Sequence, residues 1–128
     1  MPRIDFDAER SYDDEQFTAN GVFKSDRSKV VCGYFEPGQF IPVHAPGSDL
    51  TVVVQSGRGV VRDGDTEHEV AAGDIVVVAA DTDRGIKADD DSRLEAVLVT
   101  APPPADAEHE PVRESLRTGT FDPRGDGV

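Results

Sequence analysis

Few side chains in this 128-residue chain can do chemistry: three histidines, one cysteine, and arginines scattered among carboxylates. His44 closes a run of apolar and turn-forming residues, Pro37-Gly38-Gln39-Phe40-Ile41-Pro42-Val43-His44-Ala45-Pro46-Gly47. Its imidazole is the one titratable side chain there, a group suited to carrying a proton. Arg84 follows Asp81-Thr82-Asp83. Its planar guanidinium fork matches a carboxylate or phosphate, and its purely structural role would be an ion pair with Asp81, Asp83 or Asp49. Cys32 has no neighbouring base to activate it and reads as a small buried apolar residue. His68 lies among acids and His109 precedes a helix, so both are expected to face solvent. The triplet Asp89-Asp90-Asp91 resembles a cation site but reads more simply as a solvated hairpin tip.

The elements that must position these groups are short strands with turn residues about every ten positions, the pattern of an all-β sandwich or barrel. Lys29 to Glu36 is rich in β-formers and stops at Pro37-Gly38. Phe40 to His44 follows, with Pro42 restricting it to an edge or bulged pairing. Two strand pairs are expected next, Leu50–Ser56 with Arg58–Asp63 across Gly57, and Glu67–Ala71 with Ile75–Ala80. Asp63-Gly64-Asp65 has the composition of a hairpin turn. The continuous apolar run Ile75–Ala80 suits a strand covered on both faces. Arg84–Ala88 and Arg93–Thr100 complete the set. Beyond Pro102-Pro103-Pro104, residues 110–119 carry an early proline, early acids, a late arginine, Val112 and Leu116 at i,i+4, and a closing glycine. These are the marks of a short helix.

The domain organisation expected is an N-terminal arm over 1–20, a barrel over 21–104, and a helix with a frayed tail over 105–128. The arm is mostly extended and could pack on its own barrel or reach a neighbouring subunit; in the homodimer expected of this chain it crosses to the partner. With 17 valines against four leucines and four isoleucines, the core must be built from stiff β-branched side chains, which again favours strands.

A net charge of −13, with 17 aspartates and three lysines, sets the surface. Such self-repulsion destabilises a small domain in ordinary buffer, whereas near 1 M salt the Debye length shrinks to about 3 Å. The composition looks halophilic. A basic stripe for nucleic acid is missing from the sequence, and the longest apolar run, Ile75–Ala80, is far too short for a membrane span. No apolar leader precedes the strands, and a lone cysteine forms no internal disulfide, so a cytoplasmic protein is expected.

Two segments carry a resemblance to a known family. Gly38, His44 and Gly57 match the spacing of the first conserved motif of the cupins, and Gly73-Asp74 opens a stretch to Arg84 that resembles the second. The resemblance implies a single-domain double-stranded β-barrel, or jelly roll, over about residues 30–100. It also implies that four positions face the barrel interior, where family members hold a divalent metal. Here those positions carry His44, Pro46, Leu50 (beside Asp49) and Arg84, so one ligand of four is kept. An inward arginine about 5 Å from the metal position would repel a divalent ion by about 6–7 kcal/mol at an effective dielectric near 20.

The function this supports is binding of a small organic anion by His44, Arg84, Leu50 and Val52, with no resident metal or other cofactor. One alternative is a metal-dependent, dioxygenase- or isomerase-like enzyme whose unorthodox ligands include His44 and Asp49, with Glu36 as a third. Another is metal-free acid–base catalysis by His44, and a third is a structural protein. A small-molecule ligand and a homodimer are the expected partners, with no nucleic acid and no membrane.

Overall fold

The computed structural model describes residues 2–122; the tail expected over 120–128 lies, from residue 123 on, outside the described residues. Eight strands run in the order β1 (Thr18–Lys24), β2 (Lys29–Phe35), β3 (Phe40–His44), β4 (Asp49–Asp63), β5 (Thr66–Ala71), β6 (Ile75–Val78), β7 (Arg84–Ala88) and β8 (Leu94–Ala101). A 3-10 turn (Asp106–His109) leads into the α-helix α1 (Glu110–Thr118). Gly119, in the left-handed region, ends that helix as its composition demands.

The strands form one antiparallel sheet in the order β1-β2-β8-β4-β7-β3, curled so that its two halves face each other. The hinge is β4. Its first part pairs with β6 and β8, and its second part with β5 and β7. This corrects the expected pairing. Leu50–Ser56 and Arg58–Asp63 are not a hairpin but one 15-residue strand, bent at a bulge beside Gly57, whose φ is +82°. Nor do Glu67–Ala71 and Ile75–Ala80 pair with each other; each lies against a different part of β4. The two-residue turn after Asp63 does close a hairpin, with Asp63 opposite Thr66.

The core lies between the two half-sheets and is mostly valine: Val52, Val61 and Val78 are fully buried, with Phe35, Ile86 and Leu94. Each such side chain contributes about 1.5–3 kcal/mol. The run at Ile75 is not covered on both faces, however. Its strand ends at Val78, and β6 is an edge strand paired only with β4, on whose outer face Ile75 and Val77 are 64% and 62% exposed.

The N-terminal arm, expected to cross to a second subunit, instead packs on its own barrel. Phe6 and Tyr12 contact the Tyr34 ring, and the Tyr34 hydroxyl donates to the Phe6 carbonyl at 2.6 Å. Arg10 donates to the buried Glu95 carboxylate from Nε (2.7 Å) and Nη2 (2.9 Å), and the Tyr12 hydroxyl donates to the same carboxylate. The arm thus covers the outer face of β2 and β8, and Cys32 beneath it is buried. Towards the other terminus Phe121 packs on Phe40, and the Val43 amide donates to the Phe121 carbonyl at 2.7 Å. Asp122 pairs with Arg62 at 2.7 Å. Residues 119–122 therefore run along the outer side of β3. Among the described residues no helix is long and apolar enough to cross a membrane.

Candidate functional site

Five strand ends meet at one end of the sandwich. β2 begins at Lys29, β3 ends at His44, β4 begins at Asp49, β7 begins at Arg84, and β8 ends at Ala101. Between the half-sheets there lies a cavity of about 200 Å³, and the segment after β8 covers it with Pro104, His109 and Val112.

Register brings His44 and Arg84 together. They are directly opposite on β3 and β7, as are Ile41 and Ile86. His44 is three positions from Ile41, so in a regular strand the two side chains would face opposite ways. A bulge between them, at the proline the sequence marks as disruptive, turns both into the cavity. His44 Nδ1 lies 2.9 Å from the Pro42 carbonyl, which makes it the N–H donor and leaves Nε2 without the proton. Burial, then the nearby charges of Arg84 and His109, hold this imidazole below its ordinary pKa, against the opposing bond to Pro42 and the Glu108 carboxylate.

Arg84 is 3% exposed. Nη2 donates to the Ala79 carbonyl at 2.7 Å and Nε to the Thr82 carbonyl at 3.3 Å, while Nη1 is buried with no partner among the described residues. The ion pair with Asp81, Asp83 or Asp49 does not form; those aspartates that act on Arg84 do so only at longer range. Burial pushes the guanidinium pKa down, with Asp49, Asp81, Asp63 and Glu108 pulling the other way. A buried cation bonded only to neutral carbonyls is an unfinished site. Thr100 Oγ1 is the other buried side-chain polar atom without a partner among the described residues, and Thr100 lines the same cavity.

The remaining expected site residues divide. Leu50 lines the cavity. Val52, two positions further along β4 and opposite Leu98, does not line it and is fully buried in the core. Asp49 points the other way from Leu50, is exposed, and accepts the Ala80 amide at 2.9 Å. Glu36 pairs with Arg93 at 2.6 Å. Neither carboxylate reaches His44's cavity.

The family's metal fails the fit. All four positions implied by the resemblance do line one cavity, as His44, Pro46, Leu50 and Arg84, but they offer one imidazole and a buried cation. Among the described residues no three His, Cys, Asp or Glu side chains cluster as a metal would need.

His109 corrects the sequence reading. It is not solvent-facing but half-buried on the cavity wall, and burial, Lys29 and Arg113 hold its pKa down against Asp106 and Glu108. The sequence places it correctly just before a helix; where that helix docks is a long-range matter. Glu108 fixes the docking, accepting the Gly47 amide at 2.6 Å and the Ala105 amide at 3.0 Å. His68 stands apart, 43% exposed and 3.6 Å from Asp63. Arg58 holds Asp89 and Asp91 of the acidic triplet at 3.6 and 3.4 Å on the surface.

A pH dependence follows from the two imidazoles. Their folded pKa values lie below the ordinary 6.5, so on acidification the unfolded chain takes up protons that the folded chain resists. Stability contributed here is complete above pH 6.5 and is lost as pH falls through the folded values, at most about 1.4 kcal/mol per pH unit for His44. The window lies above that of the depressed carboxylates Glu95 and Glu108. Urea denaturation from pH 7.5 to 5 should show this decline, and a His44→Gln/His109→Gln variant should flatten it.

The sequence pattern of a family described as "Cupin domain" matches residues 33–100, more than half the chain. A crystal structure of TT1209 from Thermus thermophilus is 30% identical, with a TM-score of 0.77 over 81% of this chain and 100% of that one. An RmlC-like cupin protein from Desulfovibrio desulfuricans is 29% identical, with a TM-score of 0.71 over 80% and 98%. KdgF from Halomonas sp., at 19% identity and a TM-score of 0.67 over 78% and 93%, shares the fold. No curated protein matches the chain.

Proposed function

The chain belongs to the cupin family, and we propose that this member binds a small organic anion in the cavity between its half-sheets, without a metal at the family's usual position. Arg84 carries the proposal. It is a cation 3% exposed, with a spare donor and no carboxylate partner among the described residues, in the wall of a cavity. A bound carboxylate would supply the partner that the chain withholds. The half-buried His44 beside it, its pKa held down by burial, offers a second polar contact. Small carboxylates are expected to raise the melting temperature of the protein, and a flat response to a panel of them at tens of millimolar would sink the proposal. So would a stoichiometric transition metal on His44 in protein purified without an affinity tag. That result would revive a metal-dependent dioxygenase- or isomerase-like activity.

We further infer that two copies pair through the outer face of β6 and β4. Register sets the exposed Ile75 beside Val53 and Val97, and Val77 beside Thr51 and Val99, so this face is uncharged in a chain of net charge −13. The acidic remainder supports a protein adapted to concentrated salt in the cytoplasm. Raising KCl from about 0.1 to about 2 M should raise the melting temperature steeply and leave a dimeric mass in light scattering. A flat melting temperature counts against the first inference, and a monomeric mass against the second.

A further inference from the structure

The cavity wall is built in two layers, and their chemistry differs. Lys29 is opposite Thr100, and His44 is opposite Arg84; these polar residues lie at the strand ends. Two residues inward along the same strands, or three at the β3 bulge, stand Val31, Leu98, Ile86 and Ile41, with Val31 opposite Leu98 and Ile41 opposite Ile86. Two strand residues advance about 7 Å and return to the same face, so the second layer lies directly behind the first. His109, from the covering segment, adds to the polar layer, and Phe17, stacked on the core residue Phe35, adds to the apolar one. Among the described residues no charged or hydrogen-bonding side chain lines the inner layer.

From this layering, and resting on the anion reading above, we propose that the ligand is an amphipathic monocarboxylate. Its carboxylate meets Arg84, His44 and Thr100, and its unsubstituted hydrocarbon body, a small ring or branched chain, fills the layer behind them. A polyhydroxylated acid of the same size is excluded, because its hydroxyls would be desolvated against Val31, Ile41, Ile86 and Leu98 with nothing to bond. The volume, about 200 Å³, lies below the usual range for drug-sized ligands and sets the small size. A second carboxylate on the body would be desolvated against the same apolar layer, which argues against a dicarboxylate.

Three compounds with one ring skeleton separate the ideas: cyclohexanecarboxylate, its uncharged carboxamide, and quinate, which carries four hydroxyls on the same ring acid. Calorimetric titration of the full chain is expected to give cyclohexanecarboxylate an affinity at least about 10- to 100-fold above both others. Val31→Thr, nearly isosteric, should weaken cyclohexanecarboxylate several-fold and leave acetate unchanged, since acetate does not reach the inner layer. Quinate binding as tightly as cyclohexanecarboxylate would overturn the amphipathic assignment while leaving the anion site standing. Carboxamide binding as tightly as the carboxylate, or no binding by any of the three, would remove the anion site and this inference with it.

Discussion

Gly57→Ala is expected to destabilise the protein by about 3–5 kcal/mol, lowering its melting temperature by about 10–20 °C. Two costs combine. The residue has φ +82°, a region that charges an L side chain about 1–2 kcal/mol. More seriously, a Cβ there would lie 1.7 Å from the Arg93 carbonyl oxygen and 2.7 Å from its carbon. Those are backbone atoms of the chain entering β8, so relief requires the strands to part at the bulge where β4 passes from one half-sheet to the other. Gly73→Ala separates the two costs. Its φ is +95°, yet nothing lies within 4 Å of the added Cβ, so only the backbone cost of about 1–2 kcal/mol applies. Equal losses for the two variants in thermal denaturation would show that close approach at Gly57 does not matter.

The same glycines show what the sequence could and could not disclose. Gly38, Gly57 and Gly73, the residues that carried the family resemblance, all adopt positive φ, a demand that residue type alone expresses. Whether positive φ means a hairpin or a bulge is not local information. At Gly64 it closes a hairpin, whereas at Gly57 the chain continues in the same strand. The resemblance placed Leu50 among the inward positions, and it lines the cavity; Val52, two positions on and facing the same way, is packed into the core instead, a difference that strand periodicity does not express. The bulge that Pro42 suggested is real and rotates His44 into the site. His109 was invisible as a site residue because its position depends on Glu108 reaching the Gly47 amide, a contact spanning 61 residues. Arg84 was legible as a chemical choice, anion or ion pair; only the packing of residues 79–82 around it shows that no carboxylate among the described residues answers it.

Arg84→Met is expected to abolish carboxylate binding, weakening it by about 10²-fold, while leaving the stability of the ligand-free protein within about 2 kcal/mol of wild type. In the absence of ligand, opposing effects nearly cancel. The substitution removes a buried charge without an ionic partner, but it also strips donors from the Ala79 and Thr82 carbonyls. With ligand the balance tips. A charge-assisted bond to a carboxylate is worth about 1.5–3 kcal/mol, and Nη1 has no other partner among the described residues to compensate. At a carboxylate concentration about 100-fold above Kd, wild type gains about 2.7 kcal/mol, or about 10 °C in melting temperature. The Met variant should gain almost nothing. Arg84→Lys keeps the charge but lacks the planar fork needed to hold two carbonyls and a ligand together, so it should recover only part of the effect. The control must be chosen with care. Arg62, in the second part of β4, bonds Asp122 at 2.7 Å with its side chain 15% exposed, so replacing it disturbs the fold. Arg58, whose side chain is 58% exposed and pairs with surface aspartates, is the neutral comparison, and Arg58→Ala should retain the full ligand-induced shift. If Arg84→Met keeps that shift as well, the guanidinium does not hold the anion and the site lies elsewhere.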